Sequence, residues 1–233
     1  MNIKDMHIAF DMELDKALSS ALPSFDSYQK DYFLNNAYLM KINQKLTGNN
    51  NLQQPFEMSV KRIADLQKLV KNTTLTGIEN SVYSKNEMSF KIENNDVMYP
   101  ISSVLKYTDT QSTEDTFSPT IATTHANVDN FRWSNINKPW IPVPVVIYEN
   151  DEIVCYIDPD SMASVRTGSP RLVLTYIKSP ERLDFFSTTG PSFIPEIDEH
   201  VHPEIVSLAV DLAIENIESQ RLQTHTQITQ NKE

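Results

Sequence analysis

The chain has 233 residues, 39% hydrophobic and 22% charged, with a formal net charge of −11. That is enough for one large domain or two small ones with a real core, and it excludes wholesale disorder. The acidic balance argues against a surface that grips nucleic acid through its phosphates, and it suits a wall that DNA slides past.

The chain holds four glycines, far apart: Gly48, Gly77, Gly168 and Gly190. A phosphate-cradling loop needs several within a few positions, so P-loop and Rossmann enzymes are disfavoured. The single cysteine, Cys155, can form no intrachain disulfide. It sits in Ile153-Val154-Cys155-Tyr156-Ile157, which reads as a buried strand with a small core thiol. No apolar run approaches the roughly 20 residues of a membrane span, and no signal-peptide core follows Met1. A soluble protein made in a cytoplasm is expected, without contact to a membrane.

In chain order, Ile3 to Ala21 reads as a helix, with Phe10, Leu14, Ala17, Leu18 and Ala21 on one stripe. Pro23 ends it. Ser24, Asp26 and Ser27 offer caps for a second helix over about Tyr28–Leu46, stopped at Gly48-Asn49-Asn50-Asn51. A third helix is expected over about Ser59–Val70. Near Thr73 the period changes to short β-rich runs. Candidate strands are Met88–Ile92, Val97–Tyr99, Ile101–Tyr107, Val143–Tyr148, Ile153–Ile157, Arg171–Ile177 and Leu183–Phe186. Glu149-Asn150-Asp151-Glu152 reads as a hairpin loop, and the Ser/Thr-rich stretch Asp109–Pro119 as a surface loop. Asp158-Pro159-Asp160 and Thr167–Pro170 read as turns. Prolines 139, 142 and 144 keep Lys138–Pro144 extended. A last amphipathic helix, Pro203–Arg221, is about 28 Å long at 1.5 Å per residue. Its stripe of Ile205, Val206, Leu208, Ala209, Val210, Leu212 and Ala213 is wide enough to serve the bundle and a neighbouring subunit. Beyond Arg221 a polar tail is expected to be mobile unless a partner orders it.

The fold expectation is α+β. Helices in residues 1–72 and a C-terminal helix in 197–222 form a helical bundle. Residues 73–196 form an inserted antiparallel β-rich unit, sandwich- or barrel-like, and 223–233 a polar tail.

Chemical candidates are sparse. His200 and His202, at i and i+2 on an extended segment among Glu196, Asp198, Glu199 and Glu204, invite a zinc site. The plainer reading is a solvated lead-in whose acids suit a helix N-terminus. His7, His125 and His225 are scattered, and no Gly-x-Ser-x-Gly elbow is present. Phe131, Trp133 and Trp140 suit a sugar or base platform, or a β-unit core or interface. No catalytic residue, cofactor or metal is expected.

Three passages carry a resemblance. They are Tyr32-Phe33-Leu34-Asn35-Asn36-Ala37-Tyr38 in the second helix and Arg62-Ile63-Ala64-Asp65-Leu66-Gln67-Lys68-Leu69-Val70 in the third. The last is Leu174-Thr175-Tyr176-Ile177-Lys178-Ser179-Pro180 followed by His202-Pro203-Glu204-Ile205-Val206-Ser207-Leu208-Ala209-Val210. In this order, over about residues 8–224, the set resembles head–tail connector ring proteins of crAss-like tailed bacteriophages, related to adaptors of short-tailed phages. The resemblance implies a non-enzymatic virion protein, assembled in the host bacterial cytoplasm. It implies a ring of twelve copies that meets the portal and other connector ring or tail proteins. Genomic double-stranded DNA would pass through its lumen unbound. The alternatives are a carbohydrate-binding virion or tail protein using Trp133 or Trp140, and a metal-dependent hydrolase using His200 and His202.

Overall fold

The computed structural model describes residues 1–17, 25–47, 60–79, 87–93, 96–111, 113–132, 134, 136–149, 151–158, 165 and 170–230. Side chains of residues 16–17, 60–62, 78–79 and 218–230 are outside that description. So are the expected signals at Leu18, Ala21, Pro23, Ser24 and Gly48–Asn51, and most of the two expected turns at 158–160 and 167–170. The chain parts into two units, Met1–Leu69 with Pro180–Glu233, and Val70–Ser179. It is a mixed helix-and-sheet chain, with the strands gathered in a barrel-like, almost wholly antiparallel sheet.

The first unit is helical. Its helices are α1 (Ile3–Ala17), α2 (Ser27–Thr47), α3 (Val60–Leu66) and α5 (His202–Gln230). Asp26 caps α2: its carbonyl accepts the Gln29 and Lys30 N–H groups, and the Gln29 side chain bonds back to the Asp26 N–H. This reciprocal arrangement satisfies donors that a helix start leaves open. α1 buries Ile3, Met6, Phe10 and Leu14, at helical spacing. α2 buries Phe33, Leu34, Ala37, Tyr38 and Ile42.

Both helices pack on α5. α5 therefore buries a broad face: Ile205, Val206, Ala209, Val210, Ala213 and Ile217. α1 and α2 together cover most of this width, and Leu208 and Leu212 of the expected stripe stay partly exposed. Each large aliphatic side chain buried here is worth about 1.5–3 kcal/mol, so this face contributes strongly to the unit's cohesion.

α5 also differs at its end, running to Gln230 rather than stopping at Arg221 with a polar tail from 223. Extending a formed helix fixes one residue per added hydrogen bond, and the Gln-rich sequence contains no glycine or proline to break it.

α3 tightens into a 3-10 turn, Gln67–Leu69, and a strand begins at Val70 rather than near Thr73. The run Val70–Thr76 is rich in β-branched residues, which fit a pleated surface. The stretch Pro180–Glu196 belongs to the helical unit rather than to a β insertion reaching residue 196. Leu183–Phe186 is not a strand. The Asn35 side chain accepts the Leu183 N–H at 2.8 Å and donates to the Leu183 carbonyl at 2.9 Å. Those bonds take the backbone groups that a sheet ladder would use.

The second unit holds β1 (Val70–Glu79), β2 (Glu87–Lys91), β3 (Val97–Thr108), β4 (Asp115–Pro119), β5 (Ile121–Ala122), β6 (Val145–Glu149), β7 (Glu152–Tyr156) and β8 (Arg171–Lys178). Their order is β4-β3-β8-β1-β2-β7-β6-β5. Among the described strands only β5 and β6 run parallel. β4 and β5 stand at opposite ends of that order, yet Thr120 alone separates them. The Thr120 N–H bonds Ser103 on β3, while the Ile121 N–H bonds Pro144 just before β6. One continuous segment thus joins the two ends and nearly closes the barrel.

β1 also changes partner. Val70–Thr76 pair with β8, and Gly77–Glu79 with β2. A Cβ at Gly77 would lie 2.9 Å from Phe90 Cε1, so the corner requires glycine.

Val97–Tyr99 and Ile101–Tyr107 merge into the single strand β3, with register shifts on either side of Pro100. Proline donates no ladder hydrogen bond, and the bulges absorb that defect. Asp115–Pro119, expected as loop, is strand β4. Its polar residues suit an edge where only Ser118 is buried. α4 (His125–Arg132) was not anticipated. Its one buried residue, Val128, packs on Ile147, Val154 and Tyr156. The other side of the same strands enters the core: Val146, Ile153 and Cys155 join Leu75, Phe90, Leu105, Leu172 and Leu174. The alternation along β6 and β7 is the two-residue period of a strand.

Candidate subunit interface

Buried polar struts set the helices of the first unit in place. Asp65 on α3 is 1% exposed and pairs with Lys45 on α2 and His200. Burial alone would push this carboxyl up, but the bonds and charges of Lys45 and His200 outweigh it and hold the group below its ordinary value. Glu204 at the start of α5 lies 3.7 Å from Lys45 and 3.6 Å from Lys41. A second strut joins α1 to α2, where His7 Nε2 lies 2.7 Å from Asp31 Oδ1. Asp31 Oδ2 accepts the Phe185 N–H, and the Phe185 ring stacks on His7 at 4.7 Å.

The proposed zinc pair does not converge. His200 lies in a 3-10 turn, Glu199–Val201, and His202 opens α5, so the segment is not extended. His200 serves Asp65. His202 is buried, with Nε2 donating to the Ile197 carbonyl and Nδ1 2.9 Å from the Met1 amine. Burial and the adjacent ammonium push the His202 imidazole below its ordinary value. Among the described residues no group of three or more His, Cys, Asp or Glu is placed to hold a metal ion.

The surface is more informative than these struts. Ile8 and Met12 stand exposed one turn apart on α1. On α2, Tyr28 is 68% and Tyr32 63% exposed, and Leu39 and Met40 are also exposed. Phe186 extends the aromatic patch, its ring 5.5 Å from that of Tyr28. Beside them a groove of about 420 Å³ runs between α2 and α5, lined by Tyr32, Phe33, Asn36, Leu39, Met40, Asn43, Leu212 and Asn216. α5 runs antiparallel to α2 here, since Lys41 and Lys45 reach Glu204 at its start. Exposed aromatic and methionine side chains around a groove free of charged residues have the composition of a contact surface.

In the second unit, Cys155 is fully buried in the barrel core, and burial pushes its thiol up to about 12. That group is inert as a nucleophile. Trp140 is 56% exposed beside a pocket of about 190 Å³. Trp133, the other tryptophan weighed for ligand binding, lies outside the described residues.

No protein-family model matches the chain, and no curated protein matches it. Among the described residues no helix is long and apolar enough to cross a membrane.

Sequence reasoning treated His7 as scattered. Its position between Ile3 and Phe10, four residues after one and three before the other, puts it on the buried stripe of α1. That spacing signalled a core histidine needing a partner.

Proposed function

We propose that the protein is a non-enzymatic structural subunit of an oligomeric ring in the head–tail connector of a tailed bacteriophage, below the portal. The observation that carries this reading is the exposed apolar surface of the helical unit, Ile8, Met12, Tyr28, Tyr32, Leu39, Met40 and Phe186. A free monomer gains nothing by holding so many large side chains in water. In this reading α1, α2 and α5 are the helical bundle of the ring subunit, and they meet neighbouring copies in a homododecamer. The ring binds the portal and further connector or tail proteins in the virion. The net charge of −11 favours a lumen through which genomic DNA passes without sticking.

The test is reconstitution. Purified protein mixed with portal should give stacked rings by electron microscopy. A protein that remains monomeric and never co-sediments with portal rejects the proposal.

A further inference from the structure

The pocket beside Trp140 belongs to the barrel unit and is independent of the apolar surface used above. We infer that it is a binding site for one pyranose ring, stacked on Trp140 and hydrogen-bonded by Asn137 and Lys138.

Four observations carry this. The first is that the indole is half exposed while the described residues around it are hydrogen-bonded. Ser134 Oγ accepts the Ile136 and Asn137 N–H groups at 3.2 and 2.9 Å. The Val143 N–H bonds the Trp140 carbonyl at 2.9 Å, and the Asp158 N–H bonds the Pro139 carbonyl at 2.7 Å. These bonds hold residues 136–140 before any ligand arrives, which lowers the entropy lost on binding.

The second is size. About 190 Å³ accommodates a single six-membered ring and little more. It lies below the roughly 300 Å³ at which pockets for larger ligands begin.

The third is the division of the lining. Phe131, Val143 and Val145 give it apolar walls, while Asn137 and Lys138 bring an amide and an ammonium. Lys138 is steadied by its ion pair with Asp158. A pyranose has the same division, with a C–H face for the negative face of an indole and hydroxyls around its edge.

The fourth is charge. Of the described lining residues Lys138 alone is charged, and Asp158 already neutralises it, so the pocket offers no net positive charge to a phosphate and suits a neutral ligand better.

Full-length protein is mixed with the methyl pyranosides of glucose, galactose, mannose and N-acetylglucosamine, and saturation-transfer NMR reads contact at the ring C–H protons. At least one glycoside should receive saturation. Trp140→Ala should weaken its binding roughly fivefold, since an aromatic stacking contact is worth about 1 kcal/mol. Asn137→Ala keeps the indole and should weaken the same glycoside, which preserves the test if Trp140→Ala fails to fold. The inference is overturned if no glycoside receives saturation, or if both variants bind as well as the parent chain. It is also overturned if indole, offered as an apolar probe, enters the pocket and no glycoside does.

Discussion

Asp65 and His200 stand 135 residues apart in sequence, yet their carboxylate and imidazole meet at 2.5 Å. With Lys45 they tie α3 to α2 and to the turn that opens α5. Asp65→Ala removes the buried carboxylate and leaves Lys45, itself mostly buried, without its closest counter-charge. Breaking a buried pair in this way costs about 3–5 kcal/mol. Urea unfolding followed by circular dichroism should show that loss. A change under about 0.5 kcal/mol would mean that the pair does not hold α3 in place.

The same carboxylate sets an acid limit. Its folded pKa lies below the ordinary 3.8, so its stabilisation is fully present above that value. It is lost as pH falls through the lower folded value, because the unfolded chain then binds the proton more readily. Asp65→Asn should flatten stability against pH in that acid range and leave the slope near pH 7 unchanged. An unchanged acid slope would assign the effect to other carboxylates.

Gly77 and Gly190 are needed for different reasons, and substitution separates them. At Gly77 an added methyl meets the buried Phe90 ring at 2.9 Å and the Pro170 carbonyl at 3.4 Å. Overpacking of this kind costs about 1–3 kcal/mol. At Gly190 nothing lies within 4 Å, but φ is +80°, so the cost is backbone strain of about 1 kcal/mol. Phe90→Leu should partly rescue Gly77→Ala in thermal unfolding and do nothing for Gly190→Ala. Equal effects on both would refute the steric account.

The helices were legible because their signal is periodic and local. Ile3, Phe10 and Leu14, or Phe33, Ala37 and Leu34, mark one face without reference to anything distant. The barrel was legible only as short strands. Its closure depends on Thr120 handing the chain from Ser103 to Pro144, and its corner on Gly77 meeting Phe90. Both are contacts between different strands, set by how the strands pair, so the period within any one strand does not reveal them. The His200–His202 spacing misled for a related reason: an i, i+2 pair converges on a strand but not in a helical turn. The exposure of Tyr28 and Tyr32 was equally hidden. Periodicity identifies apolar faces, but not which of them the rest of the chain leaves uncovered.

His7 and Asp31 offer a clean measurement of coupling. The pair is buried, and His7→Ala leaves Asp31 Oδ1 without its bond, a loss of about 1–3 kcal/mol. Asp31 also holds the Phe185 N–H, so Asp31→Ala should cost more than His7→Ala. A double-mutant cycle should return an interaction energy of at least 0.5 kcal/mol. Strict additivity would show that the 2.7 Å contact is geometrically close but energetically idle.

The apolar surface yields the prediction that bears most on function. Tyr32 and Met40 are exposed and line the α2–α5 groove, so replacing them removes little from the core of the subunit. Tyr32→Asp with Met40→Asp should therefore shift monomer stability by no more than about 0.5 kcal/mol per site. In an assembled interface the same charges would be buried without partners, at several kcal/mol. Sedimentation of the double variant with portal should give folded monomers where the parent chain gives rings. Ile8→Asp with Met12→Asp on α1 separates two geometries. A head-to-tail ring uses two different surfaces on each copy, so charging either patch alone should stop assembly if the α1 ridge and the α2–α5 groove face each other across the contact. Rings that form normally with both patches charged would place the subunit contacts elsewhere and remove the observation on which the proposed function rests.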